Sequence, residues 1–254
     1  MKITFLGTGT SQGVPMIGCE CEVCKSTDPK DKRLRTSILI SSGDKNIVVD
    51  TGPDFRQQML RENVKTLEAV VFTHEHKDHI AGMDDIRAYN YLQRRDMDLY
   101  ATQNVQEALK RDFFYAFNNS TYPGVPKAVL HTIKHGQSFE LAGLSFLPFE
   151  VMHFKLPVTA FRIGDFSYIT DANFISEESK KIIRGSKLIV LNALRKESHV
   201  SHYTLDEAVD LMKEFAPEQG YFVHMSHQIG KHEEVNKSLP ENIRLAYDGL
   251  TLVI

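Results

Sequence analysis

The chain has 254 residues, 42% hydrophobic and 25% charged, proportions that exclude a disordered or collagen-like protein. Thirty basic against thirty-three acidic side chains leave a formal charge of −3, which excludes a global positive field for gathering nucleic acid. No apolar run approaches the roughly 20 residues that a membrane helix needs, and the length suits one domain, residues 1–254, with a large buried core. Lys2 followed by only residues 3–6 before Gly7 is too short for the apolar region of a secretory signal, so cytoplasmic residence is expected.

β-branched and aromatic runs alternate with segments of helical period, which predicts the α/β class. Residues 3–6, 37–41 and 46–49 read as strands, with Ser42, Gly43 and Asp44 turning the last two into a hairpin. Pro53 opens a helix over 53–63, because its fixed φ suits a first turn, and the apolar run 67–72 is a buried strand. A helix is expected around 84–95. Strands dominate the middle third: 129–133, 138–141, 144–150, and a hairpin of 158–163 with 166–169 around Gly164 and Asp165. Alternation then returns as helix 177–184, strand 188–191, helix 205–215, strand 220–223 and closing strands near Ile243 and Leu250. The aromatic stretch 113–122, ahead of Pro123, Gly124 and Pro126, suggests a lid or a contact surface; core packing is the preferred reading. No repeat, linker or low-complexity tract is visible.

The most informative segment is Thr73-His74-Glu75-His76-Lys77-Asp78-His79, which places four candidate ligands in six positions directly after the apolar run 69–72. Imidazole and carboxylate donors suit zinc, iron or manganese, and an extended entry puts His74 and His76 on one side for a single ion. Asp78 and His79 then face a second. Three isolated candidates also sit just beyond apolar runs: His153 after 147–151, Asp171 after 168–170 and His224 after 221–223. Ligands in open α/β sheets gather at strand ends, so residues distant in sequence converge on one rim.

This series resembles the ligand set of the metallo-β-lactamase superfamily, across residues 1–254. The resemblance implies a four-layer αββα sandwich in which His74, His76 and His153 hold one ion, Asp78, His79 and His224 hold the other, and Asp171 bridges both. Asp50 in Val49-Asp50-Thr51-Gly52 matches the aspartate that orients a ligand histidine by accepting its ring N–H. Two ions about 3.5–4 Å apart share a water and lower its pKa, so a bridging hydroxide is the implied nucleophile. Charge drawn from non-bridging oxygens favours an anionic phosphodiester over a neutral amide. Asp171 argues against a true β-lactamase, because di-zinc members of that group commonly carry cysteine there and none occurs here after Cys24.

The three cysteines of the chain, Cys19, Cys21 and Cys24, fall within six residues, a spacing that can wrap a tetrahedral zinc but leaves its fourth position open. His227, three residues after His224, is the candidate to complete it. Together with the run Gly7-Thr8-Gly9-Thr10-Ser11-Gln12-Gly13, this cluster resembles the PhnP-type branch, the phosphoribosyl cyclic phosphate phosphodiesterases. That resemblance implies opening of a cyclic phosphate on ribose and a third, structural zinc on Cys19, Cys21, Cys24 and His227. The glycine run is not a dinucleotide signature, since its spacing is wrong and the cysteine loop stands where a phosphate-binding helix would start.

Ser201-His202-Tyr203-Thr204 resembles the histidine-bearing helix start of phosphodiesterase members, where the histidine assists the leaving oxygen; Asp78 and His202 are the expected catalytic residues. His199 competes for the role of general acid. Arg87 and Lys77 either steer phosphate or are solvated, and His131, His135 and His232 receive no role. The expected partner is a small phosphodiester, with no membrane and no nucleic acid, and a homodimer is considered with the aromatic stretch near Phe114 as contact. Three rival functions are retained: a tRNA 3′-processing endonuclease, disfavoured by the lack of a long basic arm; a thioester hydrolase; and a non-catalytic zinc-stabilised binding module.

Overall fold

A computed structural model of the chain describes residues 1–118 and 122–254. Its strands are β1 (Lys2–Gly7), β2 (Ser37–Ser42), β3 (Lys45–Val49), β4 (Ala69–Val71), β5 (Met97–Ala101), β6 (Ala128–Thr132), β7 (Phe139–Leu141), β8 (Leu144–His153), β9 (Leu156–Ile163), β10 (Phe166–Ile169), β11 (Leu188–Asn192), β12 (Gln219–Val223), β13 (Ile243–Leu245) and β14 (Thr251–Val253). They form two seven-stranded sheets, ordered β14-β1-β2-β3-β4-β5-β6 and β13-β12-β11-β10-β9-β8-β7. Each sheet combines antiparallel hairpins with a parallel run, β3 to β6 in one and β10 to β13 in the other. Every residue of β11 is buried, as expected of a parallel strand covered on both faces.

Three layers of apolar packing follow from this arrangement. Between the sheets, Phe5, Ile38 and Val71 of the first meet Phe146, Phe161 and Tyr168 of the second. Outside the first sheet lie α1 (Phe55–Arg61), α2 (Lys77–Ile80), α3 (Arg87–Gln93), α4 (Gln103–Asp112) and α5 (Phe114–Phe117), with Phe55, Met59 and Leu109 packed on Val48 and Leu99. Outside the second lie α6 (Glu177–Ile183), α7 (Leu205–Phe215) and α8 (His232–Ser238), with Ile183, Met212 and Val235 in the same core as Ile189 and Phe222. The result is the expected αββα sandwich. α7 begins where predicted, because Thr204 and Glu207 form a reciprocal capping box. Among the described residues no helix is long and apolar enough to cross a membrane.

The departures have local causes. The predicted strand 67–72 is only Ala69–Val71, since the Leu67 N–H donates to the Gln93 side chain at 2.6 Å instead of to a ladder. The helix expected over 53–63 starts at Phe55, after an Asp54 that makes no side-chain cap. β5 and α4 fall in the third read as strand-dominated. α4 is hard to see because Gln, Asn, Glu, Lys, Arg and Asp outnumber its buried Val105, Ala108 and Leu109. The aromatic stretch divides: Phe113 is buried and Tyr115 and Phe117 pack on the core, whereas Phe114 and Tyr122 are exposed. Its residues 119–121 lie outside the described residues.

Asp248 ties the C-terminal segment to the first sheet, taking hydrogen bonds from the Thr8 hydroxyl and the Leu34 N–H at 2.8 Å each. Burial pushes its carboxyl up to about 6, above the roughly 3.9 of an unfolded chain. The native state therefore holds this proton more tightly, so the stability it contributes is full below about pH 4 and is lost as pH rises through 6. Relative to Asp248→Asn, the unsubstituted protein is expected to gain about 1 kcal/mol between about pH 7.5 and pH 5, seen as roughly 3 °C in the difference of melting temperatures.

Candidate metal centre

The C-terminal ends of β3, β4, β8, β10 and β12 converge at one edge of the sandwich, and each delivers a site residue just past its last apolar position. The segment 74–79 follows β4, His153 ends β8, Asp171 follows β10 and His224 follows β12. Close backbone packing sets the segment in place. A side chain on Gly52 would stand 2.2 Å from the Asp78 carbonyl, and one on Gly82 would stand 2.2 Å from the Gly52 carbonyl, so two glycines lock the loops together. Asp50, Asp171 and His224 all hold left-handed backbone, with φ of 66°, 57° and 58°. Such strain in non-glycine residues persists where surrounding structure enforces it and clusters at functional sites.

The structure brings the predicted donors together. His74 Nε2 lies 3.1 Å from His76 Nδ1 and 3.4 Å from Asp171 Oδ2. His79 Nε2 lies 3.2 Å from the same Asp171 oxygen and 3.3 Å from Asp78 Oδ2. His224 Nε2 lies 3.2 Å from Asp171 Oδ1 and 3.4 Å from Asp78 Oδ2. Separations of this size are the edges of a tetrahedron with bonds of about 2.0–2.2 Å. His153 and His202 each offer a nitrogen that clusters with Asp171, all within 4.8 Å of one another. The His153 Nδ1–H donates to the Ser201 carbonyl at 2.7 Å, which leaves Nε2 free for the cage.

Whether cations fit is decided by the buried acceptors. His79 Nδ1–H donates to Asp50 Oδ2 at 2.7 Å, yet its Nε2 is buried with no hydrogen-bond partner. A lone pair buried among carboxylate oxygens and other imidazoles is costly unless a cation sits before it. Asp50 is itself fixed by the Thr73 N–H at 2.8 Å and hydroxyl at 2.7 Å, the orienting pattern of histidine ligands. The donors thus fit divalent cations of the zinc, manganese or iron type.

The electrostatics agree. Burial pushes His74 down to about 4, with His79 adding to the effect. Burial also lowers His202, to about 2, helped by His224. His79 is driven well above the ordinary range: burial opposes this, but Asp171, Asp78 and Asp50 surround it. Asp78 and Asp171 are held below the carboxylate range against their burial, by His79 and His224 together.

A second cluster stands apart. Cys19, Cys21, Cys24 and His227 gather their ligand atoms within 4.8 Å, with His227 Nδ1 at 3.4 Å from the Cys19 sulfur and 3.2 Å from that of Cys21. The Cys24 N–H donates to the Cys21 sulfur, which with His227 lowers that thiol to about 6, whereas burial raises Cys24 to about 11. His227 starts a short turn, 227–229, capped by Ser226, so the offset from His224 sends one histidine to each cluster.

The remaining candidates lie outside the cage. His199 is near, its ring 5.2 Å from that of His202. Lys77 pairs with Asp112 and Arg87 with Asp84, both on exposed side chains. His131 pairs with Asp98 at 2.6 Å, His135 contacts Thr159 at 3.0 Å, and His232 sits between Arg33 and Asn236. Sequence reasoning missed Thr73 and Asn192. Asn192 is fully buried and pins the backbone of Ala172, next to Asp171, through its Oδ1 at 2.8 Å and Nδ2 at 2.9 Å. A polar residue closing the apolar run 188–191 was the available signal.

A family model described as Beta-lactamase superfamily domain matches residues 45–225. A solved structure described as a new diphosphatase from the PhnP family superposes with TM-score 0.93 at 39% identity, covering 100% of this chain and 97% of that one. Zn²⁺-bound PqqB from Methylobacterium extorquens superposes with TM-score 0.81 at 20% identity over 100% of both chains. Among curated relatives, an octanoyltransferase of Porphyromonas gingivalis is 38% identical over 256 residues, which is 100% of this chain and 52% of that protein. The chain spans about half the length of the curated relatives it matches.

Proposed function

The chain belongs to the metallo-β-lactamase superfamily, in its PhnP branch, and is a metal-dependent hydrolase; from that premise we propose that it is a phosphodiesterase with a dinuclear centre, acting on cyclic or small nucleotide-like phosphodiesters such as phosphoribosyl cyclic phosphate. The observation that carries this reading is the position of Asp171, whose two oxygens lie within 3.4 Å of His74, His79 and His224, so that one carboxylate serves both halves of the cage. His74, His76 and His153 would hold one cation and Asp78, His79 and His224 the other, with a structural zinc on Cys19, Cys21, Cys24 and His227. When bound, the pair supplies Lewis acidity, acidifying a water and drawing charge from phosphate oxygens.

The chain's own residues do the rest. Asp50 holds the His79 ring in the tautomer that presents Nε2, and Ser201 does the same for His153. His202, beside His153 and Asp171, is assigned to the leaving oxygen as hydrogen-bond donor and, once an anionic phosphate offsets its burial, as general acid. Among the described residues the candidate ligands of the cage are imidazoles and carboxylates, with no thiol to take up an acyl group. For that reason hydrolysis, rather than the acyl transfer named for the longer octanoyltransferase, is proposed for this chain. A second reading, cleavage of a diphosphate bridge, is favoured by the PhnP-family diphosphatase at 39% identity. It uses the same centre on a phosphoric anhydride.

The test is a substrate panel on protein of measured metal content: bis-p-nitrophenyl phosphate, phosphoribosyl cyclic phosphate, a dinucleoside diphosphate and precursor tRNA. Metal-dependent cleavage of the small substrates, abolished by chelation and restored by zinc or manganese, is expected. Full activity after chelation, or cleavage of tRNA alone, defeats the proposal.

A further inference from the structure

Three hairpins in the second sheet close through two residues of which the first is left-handed; β7 and β8 pair Leu141 with Leu144 across Ala142 and Gly143, and Ala142 takes φ 54°. β9 and β10 pair Ile163 with Phe166 across Gly164 and Asp165, and Gly164 takes φ 58°. β8 and β9 pair His153 with Leu156 across Phe154 and Lys155, and Phe154 takes the same φ of 58°. Two-residue turns with a left-handed first residue select glycine or asparagine, and a bulky residue there is an outlier. The hairpins remote from the cage keep to that preference with Gly164 or depart from it by the single methyl group of Ala142. The one that delivers His153 to the cage violates it.

Phe154 also leaves 53% of its surface exposed, so it contributes little to the core while straining the turn. It is held fixed all the same. Its N–H donates to Asn173 Oδ1 at 2.7 Å, and the Asn173 Nδ2 donates to the Val200 carbonyl at 3.0 Å, clasping the turn to the loop that carries His202. The Lys155 ammonium stands 5.4 Å from the Phe154 ring centre and makes no ion pair among the described residues. An exposed aromatic ring, on a backbone fixed by Asn173, and a cation stacked beside it thus directly follow the residue that enters the cage. Local rules broken without benefit to the fold mark function.

We propose that Phe154 and Lys155 form the subsite for the organic arm of the substrate and select a nucleotide, the base stacking on Phe154 and the phosphate lying towards Lys155. This rests on the phosphodiesterase reading and, within its substrate class, ranks esters that carry a nucleobase above those that carry ribose alone. Stacking of a base on an aromatic side chain is sequence-tolerant and strong enough to set preference between ligands.

Calorimetric binding of AMP and of ribose 5-phosphate to the metal-loaded protein tests it without turnover. The unsubstituted protein is expected to bind AMP about 10-fold tighter, Phe154→Gly to bring the two within about twofold, and Phe154→Tyr to keep the preference. Phe154→Gly should melt within about 2 °C of the parent, since glycine suits the turn. Equal binding of both ligands by the parent, retention of the preference in Phe154→Gly, or an equal loss for both ligands in that variant would each overturn the assignment. Failure of the phosphodiesterase reading shows instead in the hydrolysis panel.

Discussion

Asp171→Asn is expected to lower hydrolysis of bis-p-nitrophenyl phosphate by on the order of 10³-fold and to remove at least one metal ion per chain. The carboxylate lies within 3.4 Å of nitrogens from His74, His79 and His224, and it joins three of the donor groups that could hold an ion. An amide keeps the shape but loses the charge, and it presents an N–H₂ to one set of lone pairs. The fold should survive, because Asn192 holds the neighbouring Ala172 by its backbone in either case. Elemental analysis beside steady-state kinetics reads both effects. A variant with full metal content and kcat within tenfold of the parent would exclude a shared carboxylate as the organising ligand.

Cys24→Ser is expected to remove a different ion and to act on stability rather than turnover. An ion on Cys19, Cys21, Cys24 and His227 ties residue 24 to residue 227, closing a loop of about 200 residues, for which loop-closure entropy gives about 4–5 kcal/mol as an upper value. A fall in melting temperature of roughly 10 °C follows, with one zinc fewer per chain. Cys24 is buried against Val14 and Val23, and serine keeps the size, so lost packing accounts for little of that fall. Unchanged metal content and melting temperature would instead identify three reduced thiols held by hydrogen bonds.

Much of the site was legible because its residues obey one rule. Each follows an apolar strand run, and strand ends of parallel sheets share an edge, so His153, Asp171 and His224 could be grouped before any coordinates were known. The cysteine cluster was legible from spacing alone, and its partner His227 from a three-residue offset. What stayed hidden depends on tertiary context. β5 is five residues long, and α4, although its Val105, Ala108 and Leu109 keep helical spacing, holds only three apolar residues in ten. The aromatic stretch misled in part because composition cannot tell Phe113, which is buried, from Phe114, which is exposed. Asn192 and Thr73 act through backbone atoms and a second carboxylate, contacts that no linear pattern encodes.

The sheet order has a consequence for biosynthesis. Every proposed ion has at least one donor from the late segment of the chain, since Asp171, His224 and His227 complete groups begun by residues 19–79. A nascent chain stopped at residue 200 holds His74, His76, His153 and Asp171 but lacks His224 and His227, so one half of the cage and the cysteine cluster are still incomplete. Completion of the pair and of the cysteine cluster therefore falls at the end of synthesis, after non-local pairing has been achieved.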